Sequence, residues 1–401
     1  MNLPLTSSRR FVVVLGMLTS IVAFSIDIAL PAIPSMVSDL GISMSVGQQV
    51  VGLFMAGMAA GQLPFGLISD RIGRMPVIYA GIALFTAAGF LATFSNDTDV
   101  LLIARFFQGV GSSAGMVLAR AIVRDVSSGK ESARLMSIMV TIFTAAPMIA
   151  PLIGSMLVPL WGWRAPFLAT AVTGLFILYG IRTSLRETHI PKDNRRILHQ
   201  FWHSTTTFLS HRQSVFGVLV VAVSMIGIMG LISGSSSLVI EQYGYPIKNF
   251  GFIFALTGVA VLIGASINRR LLLRFGTVQI IGIGAAIAGM AGAQLLVMAW
   301  LGEAPFWWLW GSACLYMCAT GLLISNATAL ALDPVPQIAG VASSIMGTIQ
   351  SGSGAVAAIV SSALYTGTIA NVALVVGFSG ISALLVFTLR PLILGTDKKD
   401  A

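Results

Sequence analysis

Two ionisable side chains sit within long apolar runs, where charge is costly and a functional role is the default reading. Asp27 follows the apolar stretch that opens at Phe11 and precedes Pro31 and Pro34. Counted along a helix it lies about sixteen residues in, roughly 24 Å along the axis. Removing a carboxyl from water penalises its charged form. A group that holds or releases a proton near neutral pH suits proton-coupled transport or substrate binding. The plainer alternative is an Asp27 close enough to an interface to stay hydrated and ionised. Arg105 is the second such residue, followed by Gln108, Gly109 and Gly111. Its guanidinium does not lose its proton in a protein, so it needs an anion, a carbonyl or water. Glycines here admit close neighbours while Arg105 and Gln108 project from one face. That points Arg105 inward; snorkelling to the headgroups is the competing reading.

A charged turn, Gly66-Leu67-Ile68-Ser69-Asp70-Arg71-Ile72-Gly73-Arg74, separates two apolar runs. About 200 residues later a fainter copy recurs between two more, Gly264-Ala265-Ser266-Ile267-Asn268-Arg269-Arg270, closing with Arg274 and Gly276. One such turn per half suggests a duplicated chain. Asn268 stands where the first copy has its acid, so the two halves are not equivalent and gating control is expected mainly in the first.

The elements that position these groups follow from composition. Of 401 residues, 56% are hydrophobic and 9% charged, against roughly 25% charged in soluble domains. Each membrane span needs about 20 apolar residues. Twelve are predicted: 11–31, 46–66, 77–95, 100–121, 134–158, 164–183, 214–238, 249–268, 277–299, 306–330, 340–364 and 372–390. Arg9-Arg10 before the first run imitate a secretory signal, but the run is too long and lacks a small-residue cleavage site, so it stays as helix one. The expected fold is an all-α membrane protein with 12 transmembrane helices in two pseudo-symmetric six-helix halves. Its domains are 1–183, a cytoplasmic central loop 184–213, and 214–401.

With the N-terminus inside, 20 of the 23 Lys and Arg residues fall in the tails, the cytoplasmic loops and the span ends that adjoin them. This positive-inside bias places both termini in the cytoplasm and the chain in the inner (plasma) membrane. The net charge of +9 then reflects topology and anionic headgroups of the lipid bilayer; a nucleic-acid partner would need a soluble basic face. Within the central loop, Leu198, Phe201, Trp202, Thr205, Phe208 and Leu209 keep helical spacing, predicting a short interfacial helix. His199 and His203, four apart, find no Cys or carboxylate to complete a metal site. Cys314 and Cys318 share one helix face and read as packing residues. No metal, cofactor or nucleophile–base pair is expected, and no ATP-binding loop is present, so an ion or substrate gradient supplies the drive.

The first turn resembles the loop signature of the major facilitator superfamily, G-x-x-x-D-R-x-G-R, between the second and third helices. Arg105 with Gln108, Gly109 and Gly111 is similar to the R-x-x-x-G-x-G signature of drug–proton antiporters, whose first helix also carries an acid before a proline. Ala146-Pro147-Met148-Ile149-Ala150-Pro151-Leu152-Ile153-Gly154-Ser155 resembles the antiporter signature G-x-x-x-G-P-x-x-G-G, with Ala146, Ala150 and Ser155 in place of three glycines. Trp163-Arg164-Ala165-Pro166-Phe167, Glu187-Thr188, and Gly321 before Asn326-Ala327-Thr328 look like the Bcr/CflA branch.

The resemblance spans essentially the whole chain. It implies proton coupling at Asp27 and Arg105, and an inner gate of Gly66, Asp70, Arg71, Gly73, Arg74 and Asp125. In that gate Arg74 pairs with Asp125, and Asp70 accepts from the start of a helix near Gly340. It also implies an antiporter element of Pro147, Pro151 and Gly154. Transporters of this kind bind near the midplane. Candidate liners are Phe24, Met58, Gln62, Gln108, Met116, Tyr316 and Asn326, since Met and aromatic residues make adaptable apolar walls. The expected activity is export of a small lipophilic compound or drug in exchange for protons, by a monomer, through alternating access. An importer or metabolite exchanger on the same fold is the alternative. It would favour more polar residues in the cavity helices than this sequence has.

Overall fold

The computed structural model of the chain describes residues 9–189 and 197–394, which are almost wholly helical. Contacts divide the chain into two compact units, Met1–Arg195 with Tyr245–Ala255, and Arg196–Gly244 with Leu256–Ala401.

In the first unit, α1 (Arg9–Asp27) stops at Asp27. Pro31 has no N–H to offer the Asp27 carbonyl, so the α-helical ladder cannot continue. Ile28 N still reaches Phe24 O at 3.1 Å, and a short 3₁₀ turn, Leu30–Ala32, leads into α2 (Ile33–Leu40). Each proline sits in the opening turn of its helical piece, where a missing N–H costs nothing. The span predicted to end at 31 therefore runs on, broken but continuous, to Leu40. It is followed by α3 (Met44–Ile72), α4 (Arg74–Phe94), α5 (Thr98–Val126), α6 (Gly129–Trp161) and α7 (Arg164–Ser184). Ser43 caps α3, and the Asp97 carboxylate caps α5 by accepting from Asp99 N and Val100 N at 2.8 and 3.1 Å.

Close packing of α3 on α5 depends on glycine. A Cβ added at Gly109 would stand 2.0 Å from Phe54 O, and one at Gly57 1.9 Å from Phe106 O. The two backbones touch, so helix α5 places Arg105 directly beside α3. At the far end of the same bundle, Asp39 of α2 accepts from Trp163 Nε1 (2.8 Å) and Arg164 Nη1 (3.0 Å). Arg164 Nη2 also donates to Asn96 Oδ1 at 2.8 Å. This clamp ties the ends of α2, α4 and α7 together.

The second unit holds α8 (Ile197–Ser210) and α9 (Arg212–Ser236), which widens into a π-helical turn at Ser237–Gln242. Then come α10 (Ile247–Leu271), whose first residues cluster with the first unit, α11 (Thr277–Leu301), α12 (Phe306–Leu332), α13 (Ala339–Ala363), α14 (Ala370–Thr388) and α15 (Arg390–Leu394). Helix α8 forms where the interfacial helix is predicted. It buries Phe208 and leaves Trp202 and Leu209 exposed, while Leu198 and His199 lie outside the described side chains.

Among the described residues, eleven helical segments are long and apolar enough to cross a membrane. The twelfth predicted span is α13, which has the length but carries many Ser and Gly residues. Four of its seven hydroxyls return to its own backbone, Ser343 Oγ to Ala339 O at 2.7 Å and Ser351 Oγ to Gly347 O at 2.9 Å among them. Ser361 Oγ donates to Gly230 O of α9, and Thr348 Oγ1 is buried without a partner among the described residues. Hydroxyls returned to the backbone in this way let a polar helix tolerate an apolar surrounding.

Gly109→Val is expected to push α5 off α3 and cost about 2 kcal/mol or more. Thermal melting of the detergent-solubilised protein checks it, with Gly311→Ala as control, since nothing lies within 4 Å of a Cβ there. Equal melting of the two variants would refute the backbone contact.

Candidate functional site

Arg105 is fully buried in the first unit. Its Nη1 donates to Gln108 Oε1 (2.6 Å) and Ser25 Oγ (3.2 Å), its Nη2 to Ser25 O (3.3 Å) and its Nε to Val50 O (3.3 Å). The guanidinium lies 4.5 Å from the Phe54 ring centre and 5.6 Å from that of Phe167. Gln108 Nε2 passes the network on to Thr170 Oγ1 at 3.0 Å. Four helices, α1, α3, α5 and α7, therefore meet around one cation. It is not snorkelling, and every acceptor it uses is neutral.

Asp27 stands two residues beyond Ser25, at the break that ends α1. Its side chain is 2% exposed, and among the described residues it makes neither a hydrogen bond nor an ion pair. Gly154 of α6 is pressed against the same break. A Cβ there would stand 2.2 Å from Ile28 O and 2.9 Å from Pro31 Cγ. Asp27 thus lies two residues from the Ser25 that Arg105 holds, and Gly154 borders the break that carries it.

A second cluster occupies the end of the bundle that carries the α3–α4 turn. Gly73, with φ of 100°, adopts a conformation that side chains rarely take. Immediately after it, Arg74 bonds Ser69 Oγ at 2.8 Å, pairs with Asp70, and meets Asp125 through Nε–Oδ2 at 2.9 Å. Ser69 Oγ in turn donates to Gly66 O at 2.8 Å. Arg71 is exposed.

Helix α4 has no capping side chain of its own. The Glu187 carboxylate, 113 residues on, accepts from Arg74 N and from Met75 N, both at 2.9 Å. It covers the orphan N–H groups and favours the positive end of the helix dipole. Thr188 Oγ1 donates to Asp125 Oδ2 at 3.1 Å, and His189 Nε2 lies 3.2 Å from Asp70 O. Residues 185–189 form a strap across the charged turn.

With this geometry in view, a family model described as Major Facilitator Superfamily matches residues 15–358. The chain belongs to that superfamily. It is 30% identical over 352 residues to a bicyclomycin resistance protein homolog of Haemophilus influenzae, covering 87% of this chain and 88% of that protein. It is 28% identical over 358 residues to multidrug resistance protein D of Escherichia coli (strain K12), covering 87% and 88%. A crystal structure of a POT family transporter in complex with a thioalcohol-conjugated peptide aligns with a TM-score of 0.74 over 96% of both chains at 16% identity. That likeness shows a shared fold. The protein is a multi-pass membrane transporter, and not an enzyme.

Of this transporter's predicted wall residues, Phe24 and Met116 are half-exposed, whereas Met58 and Gln62 are buried. Three have internal partners instead. Gln108 is held between Arg105 and Thr170. In the second unit, Tyr316 is buried, its hydroxyl donating to Ser224 O at 3.0 Å and lying 2.7 Å from Ser379 Oγ. Asn326 Nδ2 donates to Asn268 Oδ1 (2.6 Å) and to Leu322 O (2.7 Å). These side chains pack their bundles in this conformation; spacing alone did not separate them from an accessible wall. Pro147 and Pro151 lie inside α6, with Pro151 buried. Cys314 and Cys318 are free thiols.

The capping role of Glu187 was invisible in sequence, because its partners are backbone groups more than a hundred residues away. Burial pushes its carboxyl up, but the N–H groups of Met75, Arg74, His189 and Thr188 outweigh burial and hold it below the usual value of 4.5. A depressed folded pKa gives stability that is present above the unfolded value and lost as pH falls through the folded one. Glu187→Gln is therefore expected to melt below wild type at neutral pH, and the gap to close progressively below about 4.5. Melting curves across that range check it; a gap independent of pH would exclude the ionised cap.

Proposed function

We propose that this transporter exports small lipophilic compounds, drugs among them, in exchange for protons, as a monomer in the inner membrane with both termini cytoplasmic. The observation that carries the coupling is the Asp27 carboxyl, buried and unpaired at a helix break beside the Ser25 that Arg105 holds. A carboxyl with no fixed partner exists in two protonation states without breaking a bond. The drug character of the cargo is supported by relatives named for bicyclomycin and multidrug resistance. The Lys and Arg bias supports the orientation. The accessible Phe24 and Met116 offer an apolar surface that suits a lipophilic guest.

Turnover in this reading is controlled by the charged turn. Arg74 divides its donors among Ser69, Asp70 and Asp125, and the strap at Glu187 and Thr188 shares two of the same groups. Making and breaking this set accompanies alternating access, with Gly66, Arg71 and Gly73 shaping the turn.

Asp27→Asn is expected to fold normally and to lose drug-driven proton movement. Everted vesicles carrying a pH-sensitive dye check it, with sodium substituted in a parallel arm; normal alkalinisation or acidification by the variant would sink the coupling role. Asp70→Asn is expected to lower kcat about tenfold with KM within about twofold, the pattern of a lost conformational step. An unchanged kcat with weakened binding would count against a gate.

A further inference from the structure

We propose that Arg120, with Arg124 one turn further along α5, binds an anionic oxygen group, a carboxylate or phosphate, carried by the transported compound. The assignment rests on the exporter reading above and names the class of cargo for it.

Arg120 lies six residues before the end of α5, about 9 Å inside the helix terminus. A charge at that depth must find a partner or water, and a guanidinium cannot escape by losing its proton. Yet Arg120 is exposed and, among the described residues, makes no hydrogen bond or ion pair. The acids of this bundle end are committed elsewhere. Asp70 is paired with Arg74; Asp125 holds Arg74 and Thr188; Glu187 caps α4 through backbone N–H groups. Glu131 sits 3.8 Å from Arg134. Among the described residues no local carboxylate is left for Arg120.

The face that carries it is selective in kind. Ala119, Ala121, Ile122 and Val123 are buried, while Met116, Arg120 and Arg124 follow one another at four-residue intervals on an accessible side. Helix α1 packs against α5 and leaves its own partly accessible stripe, Met17, Ser20 and Phe24. Neither stripe carries an acid. An apolar wall ending in two unpaired arginines complements an amphipathic molecule with an acidic group. It offers nothing to an organic cation. An arginine serving only lipid headgroups would be satisfied at the helix end, where Arg124 already stands; Arg120 is a full turn deeper.

The test uses purified full-length protein in liposomes and two probes, a lipophilic fluorophore bearing a carboxylate and its carboxamide. Arg120→Gln should raise the KM for the carboxylate about tenfold or more and leave the carboxamide within about twofold, with Arg120→Lys restoring much of the loss. Thermal-shift titration of the same probes on solubilised protein reads binding without transport, so a failed exporter assay and a failed anion site are distinguishable. Equal loss of both probes, an unchanged carboxylate KM, or a defect that follows the anionic-lipid content of the liposomes would each overturn the proposal.

Discussion

A guanidinium buried among helices with only neutral acceptors is the constraint around which the first bundle is built. Arg105 cannot discharge and among the described residues has no carboxylate within ion-pair distance, so its cost is offset by four hydrogen bonds and two aromatic faces. Those partners come from α1, α3, α5 and α7, and they fix how closely the helices approach. Gly57 and Gly109 follow from it, since Val50 O and Phe54 come within reach only if the α3 and α5 backbones touch. A charge-satisfaction problem thus sets the packing, and the packing places Ser25, two residues before Asp27, against a fixed cation. Removing one partner of such a network leaves a charge stranded, which is why it specifies one arrangement.

The two copies of the charged turn solve the same geometric problem with different chemistry. In the first unit the solution is ionic: Arg74 between Asp70 and Asp125, with a remote carboxylate holding the start of α4. In the second, Asn268 meets Asn326, and Asn268 Nδ2 reaches Ser325 Oγ at 3.3 Å. An amide pair is short-ranged and indifferent to protons, whereas the ionic set responds to charge, salt and strain. The expectation of unequal halves therefore acquires a physical form. It also accounts for Asn326, which belongs to the turn of its own bundle.

Features encoded by local pattern could be read from the sequence, and features encoded by contact could not. Apolar run length located the spans to within a few residues, and the cost of burying charge singled out Asp27 and Arg105. The continuation of the first span to Leu40 was hidden because Pro31 and Pro34 read as terminators, when each opens a new helical piece. Tyr316 and Asn326 looked like wall residues because residue type does not reveal which polar atom a neighbouring helix supplies. Glu187 gave only a family resemblance: capping by a residue 113 positions away leaves no periodic trace.

The degraded antiporter element gains an explanation from the same contacts. Three of its glycines are replaced by Ala146, Ala150 and Ser155, yet all three positions are buried, so small side chains are accommodated there. Gly154 is the one retained, and it meets backbone: its missing Cβ leaves room for the Ile28 carbonyl and the Pro31 ring. That carbonyl belongs to the residue after Asp27, in the stretch where Pro31 has broken the hydrogen-bond ladder. Helix α6, with Pro147 and Pro151 interrupting its own ladder, thus leans on the break that presents the carboxyl. Two proline-weakened segments in backbone contact can shift together at less cost than two regular helices, because fewer hydrogen bonds must be broken. Gly154 is then retained because the carboxyl and α6 share a single mechanical joint.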